Sequence, residues 1–133
     1  MQRYSIDGTR FSSLEEFAEY FSELVLVDHH WRGSLDAFND ILRGGFGTPE
    51  EGFVLVWKNA EASRAALGYL ETVRQLEARL QRCHPNHQDA VTIELQAARN
   101  GCGATVFDWL VEIIQDHGPG GEQSDDNVLL EFR

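Results

Sequence analysis

The sequence is poor in cysteine, in positive charge and in long apolar runs. Its two cysteines, Cys83 and Cys102, have no zinc-binding or redox spacing and are too few for a disulfide framework. The longest strongly apolar run is FVLVW, far shorter than a membrane span. The first ten residues lack the apolar core of a secretory signal. These absences predict a reduced, cytoplasmic protein that does not enter a membrane.

Positive charge is scarce relative to negative charge. There are 11 Lys and Arg residues against 22 Asp and Glu residues, which gives a formal net charge of -11. Such a field repels nucleic acids and anionic membrane surfaces and attracts basic partners. An acidic bias is also common in cytosolic proteins, so the charge argues against a nucleic-acid ligand without identifying a partner.

The chain of 133 residues fits a single domain, spanning 1–133. Its patterns predict, in order, a strand, two helices, a strand, a helix, a helical hairpin, a helix and a strand. Residues 53–57 are apolar throughout, as is typical of a strand buried on both faces. Strands separated by helices predict an α/β fold with a small three-stranded parallel sheet covered by helices, with 53–57 central or fully covered.

Local signals place the helix starts. Ser13 and Glu16 are spaced for a capping box, and Ser34 and Asn59 suit the N-caps of the second and third helices. The helical hairpin is predicted over 69–100, with CHPNH as the break between its helices.

The second helix carries two carboxylates, Asp36 and Asp40, four residues apart on one face. Like charges at this spacing destabilise an isolated helix by a few tenths of a kcal/mol. The helix dipole favours Asp36 in the first turn, but Asp40 gains much less from it. A second acidic stripe, at 108, 112 and 116, lies on the last predicted helix. Each is either a solvated face or a surface that binds something outside the molecule.

The motifs argue against catalysis and metal binding. CHPNH offers three potential metal ligands but no second pair nearby, so a turn is the favoured interpretation. His29 and His30 point in different directions in any regular structure, and the GGFG loop lacks the Lys-Ser/Thr of a phosphate-binding loop. We therefore predict no catalytic residue, no metal site and no cofactor.

The stretch HHWRGSLDAFNDIL, followed by a glycine-containing loop and FVLVWKNAEAS, resembles the barstar family of intracellular ribonuclease inhibitors. The segment 35–38 matches the family pattern, as do Asp40, Leu42 and Trp57. The resemblance covers roughly the first half of the chain, and the last helix and strand fit it more loosely.

The resemblance implies a three-stranded parallel sheet covered by helices and an inhibitor without catalysis. In the family an acidic helix and its preceding loop plug the nuclease active site, where carboxylates take the place of RNA phosphates. Carried over, Asp36 and Asp40 are the helix carboxylates, with Asp40 the deeper phosphate mimic. The implied partner contacts are His30, Trp31, Asp36, Asn39, Asp40 and Glu112.

The sequence departs from the family pattern in three places. The loop glycine comes one position late, at Gly33, and is followed by Ser34 where Asn is usual. Asn39 replaces an aromatic residue beside Asp40. Residues 69–103 have no counterpart in the short pattern, and we interpret them as an inserted helical hairpin whose excision leaves a folded domain. These departures point to a target other than barnase itself.

Three functions follow as hypotheses. The first is a cytoplasmic inhibitor, or immunity protein, of a basic ribonuclease. The second is an adaptor of the same fold with a target that is not a nuclease and with the hairpin as its main contact surface. The third is a metal-dependent hydrolase using Asp36, Asp40 and a histidine.

Overall fold

The computed structural model describes residues 1–26 and 28–133. Its sheet has three parallel strands in the order β1-β2-β3. The strands are β1 (Gln2–Asp7), β2 (Phe53–Lys58) and β3 (Val128–Phe132), and the helices are α1 (Leu14–Val25), α2 (Leu35–Leu42), α3 (Ala60–Ala66), α4 (Tyr69–Arg82), α5 (Gln88–Arg99) and α6 (Val106–Asp116). This confirms the predicted α/β class and the parallel sheet. None of the described helices is long and apolar enough to cross a membrane.

The central strand is β2, as its unbroken apolar sequence predicts. Every residue from Phe53 to Trp57 is buried. Side chains alternate across a strand, so Phe53, Leu55 and Trp57 share one face, and these three belong to the main hydrophobic core. Val54 and Val56 lie on the other face and are only 5% and 3% exposed. The prediction that both faces of this strand are covered is therefore confirmed.

An ion pair between the two edge strands covers part of the second face. The register places Arg3 of β1 beside Val54, and Glu131 of β3 beside Val56. The Arg3 guanidinium donates to the Glu131 carboxylate at 3.0 Å, so the two long side chains meet across β2. The pair therefore lies on the face of the sheet that carries Val54 and Val56, and its two side chains remain 50% and 37% exposed.

The start of α1 differs from the predicted capping box. The Ser13 hydroxyl accepts the Glu16 backbone N–H, as expected. The Glu16 carboxylate, however, accepts both the backbone N–H and the hydroxyl of Ser12, at 2.8 and 2.9 Å. The predicted reciprocal bond is wrong because Ser12 offers two donors. These bonds, those from Ser12 foremost, lower the pKa of Glu16.

The residue before α3 is also different from its prediction. Asn59 adopts the left-handed conformation, with φ of 55°, and makes no side-chain cap. Its side-chain amide donates instead to the Asp7 carboxylate at 3.0 Å, which joins the ends of β1 and β2. Asn59 thus occupies the predicted N-cap position, but the predicted side-chain cap is wrong, because a left-handed residue is not in the extended conformation of a capping residue.

The helical hairpin has a small core of its own. The helices α4 and α5 pack through Leu76, Val91, Leu95 and Ala98, which form a cluster separate from the main core. Trp109 of α6 packs against both clusters and so bridges them.

The first turn of α4 is joined to the rest of the fold by two buried hydrogen bonds. Glu71 accepts the backbone N–H of Leu14 at 2.7 Å, and the Thr72 hydroxyl accepts that of Val106 at 2.9 Å. These amides begin α1 and α6, where the helix has no internal partner for them. Arg74 pairs with Glu71, which raises the pKa of the guanidinium. Excision of 69–103 stays a prediction, and it would remove both bonds.

Stability should depend on pH through Asp7. The backbone N–H of Thr9, followed by the amide of Asn59 and the hydroxyl of Thr9, lowers the pKa of Asp7 from 3.8 to about 2. Because the folded pKa is the lower one, the stabilisation is complete above the unfolded value and is lost as the pH falls towards about 2. Asp7→Asn should therefore lower the melting temperature at pH 7 and much less near the acid limit. Asp125→Asn is the control, and a pH-independent difference for Asp7→Asn would contradict the prediction.

Thr72→Val tests the attachment of the hairpin. The isosteric change leaves the buried N–H of Val106 without its acceptor, so the free energy of unfolding should fall by about 1–3 kcal/mol. Urea denaturation measures the loss, and Thr92→Val is the control, because the Thr92 hydroxyl only donates within its own helix. Equal losses of unfolding free energy in the two variants would show that the hydrogen bond of Thr72 to Val106 does not stabilise the attachment of the hairpin.

Candidate partner-binding site

The helix α2 has one buried face and one exposed face. Ser34 is its N-cap and accepts the Ala37 backbone N–H at 3.3 Å. Phe38, Ile41 and Leu42 are buried in the main core. Spacing of 3.6 residues per turn then leaves the carboxylates of 36 and 40 on the opposite side, where both are exposed. The structure thus brings Asp36 and Asp40 together on one solvated face.

The loop before α2 is held by Trp31. Its backbone N–H donates to the buried hydroxyl of Ser22 in α1 at 2.9 Å, and its indole N–H donates to the Ser34 carbonyl at 2.7 Å. The indole ring stacks on Phe38 at 4.4 Å between centroids. Gly33, with φ of 113°, makes the turn between Trp31 and the cap.

Trp31 therefore differs from its expected place. The residue is only 3% exposed, so in the free protein it offers almost no surface to a partner and instead packs against the buried side of α2 through Phe38. His30 beside it is exposed, as a contact residue must be. His29, also exposed, meets the ring of Phe46 edge-on at 5.8 Å.

Asp40 has a neighbour that the sequence analysis missed. The Arg43 guanidinium donates to its carboxylate at 3.0 Å, and the two side chains are 50% and 59% exposed. The signal was present in the sequence, because residues three apart are neighbours on a helix. An exposed pair of this kind contributes about 0.2–1 kcal/mol, enough to offset the repulsion between the two aspartates.

Asn39 turns inward instead of towards a partner. Its side-chain oxygen lies 2.7 Å from Nε2 of His117 and 3.3 Å from the amide nitrogen of Gln123. His117 is fully buried, and its Nδ1 lies 2.6 Å from the Asp126 carboxylate. No local signal could have found this contact, because Asn39 and His117 are 78 residues apart.

Glu112 lies in a different groove from the α2 carboxylates. It is exposed on α6 and lines, with Asp116 and β3, a groove of about 510 Å³. Asp36 lines a separate groove of about 850 Å³ beside the hairpin, together with Arg79 and Arg82. The other member of the α6 stripe, Asp108, completes the capping box of α6 with Thr105. Among the predicted contacts, Asp36 and Asp40 are thus exposed on α2, and Glu112 is exposed separately on α6.

The described residues bring together no group of three or more His, Cys, Asp or Glu side chains that could hold a metal ion. In the CHPNH segment His84 accepts the backbone N–H of Asn86 within a turn between α4 and α5. What the carboxylates of α2 can do is attract and bind cationic groups.

Comparison with known proteins identifies one family. A model of the family Barstar (barnase inhibitor) matches residues 1–96, which is more than half of the chain. The matched segment contains β1, α1, α2, β2, α3 and α4, and it ends within α5. No curated protein matches the chain significantly.

Substitution of Trp31 should affect folding first. Trp31→Phe keeps an aromatic ring on Phe38 but loses the hydrogen bond to the Ser34 carbonyl, so the free energy of unfolding should fall by about 1 kcal/mol. Trp31→Ala also leaves a cavity and should cost about 3–5 kcal/mol. Chemical denaturation measures both. Unchanged stability in Trp31→Ala would mean that the ring is not part of the core.

Proposed function

The chain belongs to the barstar family, and we propose that it inhibits a basic ribonuclease by placing the exposed face of α2 in the active-site cleft of the enzyme. The observation that carries this proposal is the division of α2 into two faces. Its apolar side chains are buried in the core, while Asp36 and Asp40 are exposed together.

Rigidity of the helix supports this role. The Ser34 cap and the stack of Trp31 on Phe38 hold α2 in place before any partner arrives. A preformed surface loses less conformational freedom on binding than a flexible one. The net charge of -11 adds long-range attraction for a cationic enzyme and so favours fast association.

Within the surface we assign different roles. Asp40 is the deeper phosphate mimic, and Asp36, near the helix start, is the second carboxylate. His30 lies at the rim of the same surface, and Glu112 is a lateral contact from α6. Trp31 and Asn39 support the surface without contacting the partner, since the first is buried and the second is bonded to His117.

A second candidate function is an adaptor whose target is not a nuclease. The hairpin favours it, because Leu70 of α4 and Ile93 of α5 are 92% and 71% exposed. Exposed apolar side chains of this size occur at protein–protein contacts, although scattered ones are also common on monomers.

Inhibition of RNA hydrolysis tests the first proposal. The protein should be titrated into barnase, and also into any basic nuclease recovered from native cytoplasm with the immobilised protein. Inhibition that is complete at one inhibitor per enzyme supports the proposal. Recovery of a non-nuclease partner whose binding is lost in Leu70→Ser or Ile93→Ser, with no nuclease inhibited, would favour the adaptor.

The two aspartates should separate stability from binding. Asp36→Ala should lower the stability of α2 by about 0.3–1 kcal/mol, because a favourable N-terminal charge is lost. Asp40→Ala should leave stability nearly unchanged, since the lost Arg43 pair and the relieved repulsion are both small. Binding to the nuclease should nevertheless weaken more for Asp40→Ala, by about 2–5 kcal/mol, a scale measured largely on the barnase–barstar complex itself.

Melting temperature and nuclease affinity should be measured for both variants at low and high salt. Glu94→Ala, an exposed change on α5 with the same charge difference, is the control. Association of the parent protein should slow as salt is added. Unchanged affinity in Asp40→Ala would remove the phosphate-mimic role.

A further inference from the structure

A chain of hydrogen bonds joins a buried histidine to the carboxylate of Asp40. The chain starts in the segment after α6 and reaches α2 at Asn39. It then returns to that segment at Gln123 and ends at the C-terminal end of α2. Its members, with the distances between consecutive polar atoms, are Asp126 to His117 (2.6 Å), His117 to Asn39 (2.7 Å), Asn39 to Gln123 (3.3 Å), Gln123 to Arg43 (2.6 Å) and Arg43 to Asp40 (3.0 Å). We refer to these six residues as the relay.

Arg43 determines the direction of the bonds in the relay between Asp40 and His117. A guanidinium can only donate, so the atom of Gln123 that faces Arg43 is the amide oxygen. The amide nitrogen of Gln123 then faces Asn39, whose oxygen accepts it. Because that same oxygen faces His117, the Nε2 of the imidazole carries a hydrogen and donates. In this orientation of the two amides, each donor between Arg43 and His117 faces an acceptor.

The buried end of the relay is equally constrained. His117 is 0% exposed, so both its ring nitrogens need protein partners. With Nε2 donating to Asn39, Nδ1 faces the Asp126 carboxyl group at 2.6 Å, and one proton lies between them. The relay is thus anchored at a buried histidine, and its other end is the exposed pair of Arg43 and Asp40.

The Arg43 side chain makes hydrogen bonds with two other side chains. Its Nε donates to Gln123 and its terminal nitrogen donates to Asp40. A typical exposed pair is loose, because two long side chains must be ordered for a small gain in energy. Here Gln123 is itself held by Asn39, which is bonded to His117. Gln123 therefore orders the guanidinium before it pairs with Asp40, and this lowers the side-chain entropy lost in forming the pair.

We infer that Arg43 is a specificity-determining residue of the acidic surface, with Gln123, Asn39 and His117 as its positioning residues. The free protein carries its own cation on Asp40. A partner that offers a single cation only replaces Arg43 at Asp40, so it gains little binding free energy. A cleft with several clustered cations displaces Arg43 and still has groups left to bind Asp36. This inference rests on the proposed function for its biological meaning, but its physical content is tested without a nuclease.

The first experiment examines the free protein by nitrogen NMR of the imidazole. In the parent protein Nε2 of His117 should carry a hydrogen. Gln123→Glu places an acceptor opposite Asn39, so the Asn39 amide should reverse and donate to both neighbours. Nε2 must then accept, so its hydrogen should be released to solvent while Nδ1 keeps one towards Asp126. An Nε2 without hydrogen in the parent, or the same pattern in both proteins, would overturn the relay.

The second experiment measures the access of a cation to Asp40. A hexa-arginine peptide is titrated into the protein at low salt while the side-chain carboxyl carbon of Asp40 is followed by NMR. Gln123→Ala removes one of the two hydrogen bonds of Arg43 without changing the net charge. The peptide should then displace Arg43 from Asp40 more easily, so the half-saturating peptide concentration should fall about two- to fivefold. Gln115→Ala, an exposed change on α6, should leave it unchanged.

The outcomes of the peptide titration are independent of any nuclease. An unchanged or higher concentration for Gln123→Ala would overturn the inference, as would an equal fall for Gln115→Ala. If Gln123→Ala shows the expected fall but the parent protein inhibits no ribonuclease, the inference would stand and the proposed function would be wrong. Melting temperatures of the three proteins show whether each variant is folded.

Discussion

The packing of Phe38 is the interaction on which the candidate site depends. Its ring stacks on Trp31 at 4.4 Å and meets Phe21 edge-on at 5.3 Å. Phe17 contacts the same ring and stacks in turn on Trp57 of the central strand at 5.5 Å. A short helix of eight residues is marginal in isolation, so this burial supplies most of its stability. The direction of the acidic face follows from it, since the carboxylates occupy whatever surface the aromatic rings leave free.

This dependence explains why much of the fold could be predicted. Apolar periodicity identifies the buried face of each helix, and the unbroken run from Phe53 to Trp57 identifies the central strand. Both are local properties of the sequence. The family resemblance added the acidic face of α2, because Asp36 and Asp40 lie at matching positions. The roles of Trp31 and Asn39 were not accessible in this way, since burial of a loop tryptophan and an inward-turned amide depend on tertiary contacts.

The polar contacts that were missed share one physical feature. Glu71 meets Leu14 and His117 meets Asn39 across 57 and 78 residues of chain, where no spacing rule applies. Each satisfies a buried donor or acceptor that the fold creates, and such groups are costly if left unpaired. Their partners are chosen by the completed structure. For the same reason the segment 69–103 looks like a separate hairpin in sequence, while its first turn is bonded to α1 and α6.

The repulsion between Asp36 and Asp40 can now be placed within this network. A helix that only needed to be stable would have no reason to keep two carboxylates at i and i+4. Arg43 offsets the repulsion in the free protein, and the relay from His117 keeps Arg43 in place. The compensation has a consequence for recognition, because the group that stabilises Asp40 also competes for it. On the proposed function, tight binding then requires a partner with more positive charge than a single arginine, and this requirement favours a strongly cationic cleft over a weakly basic surface.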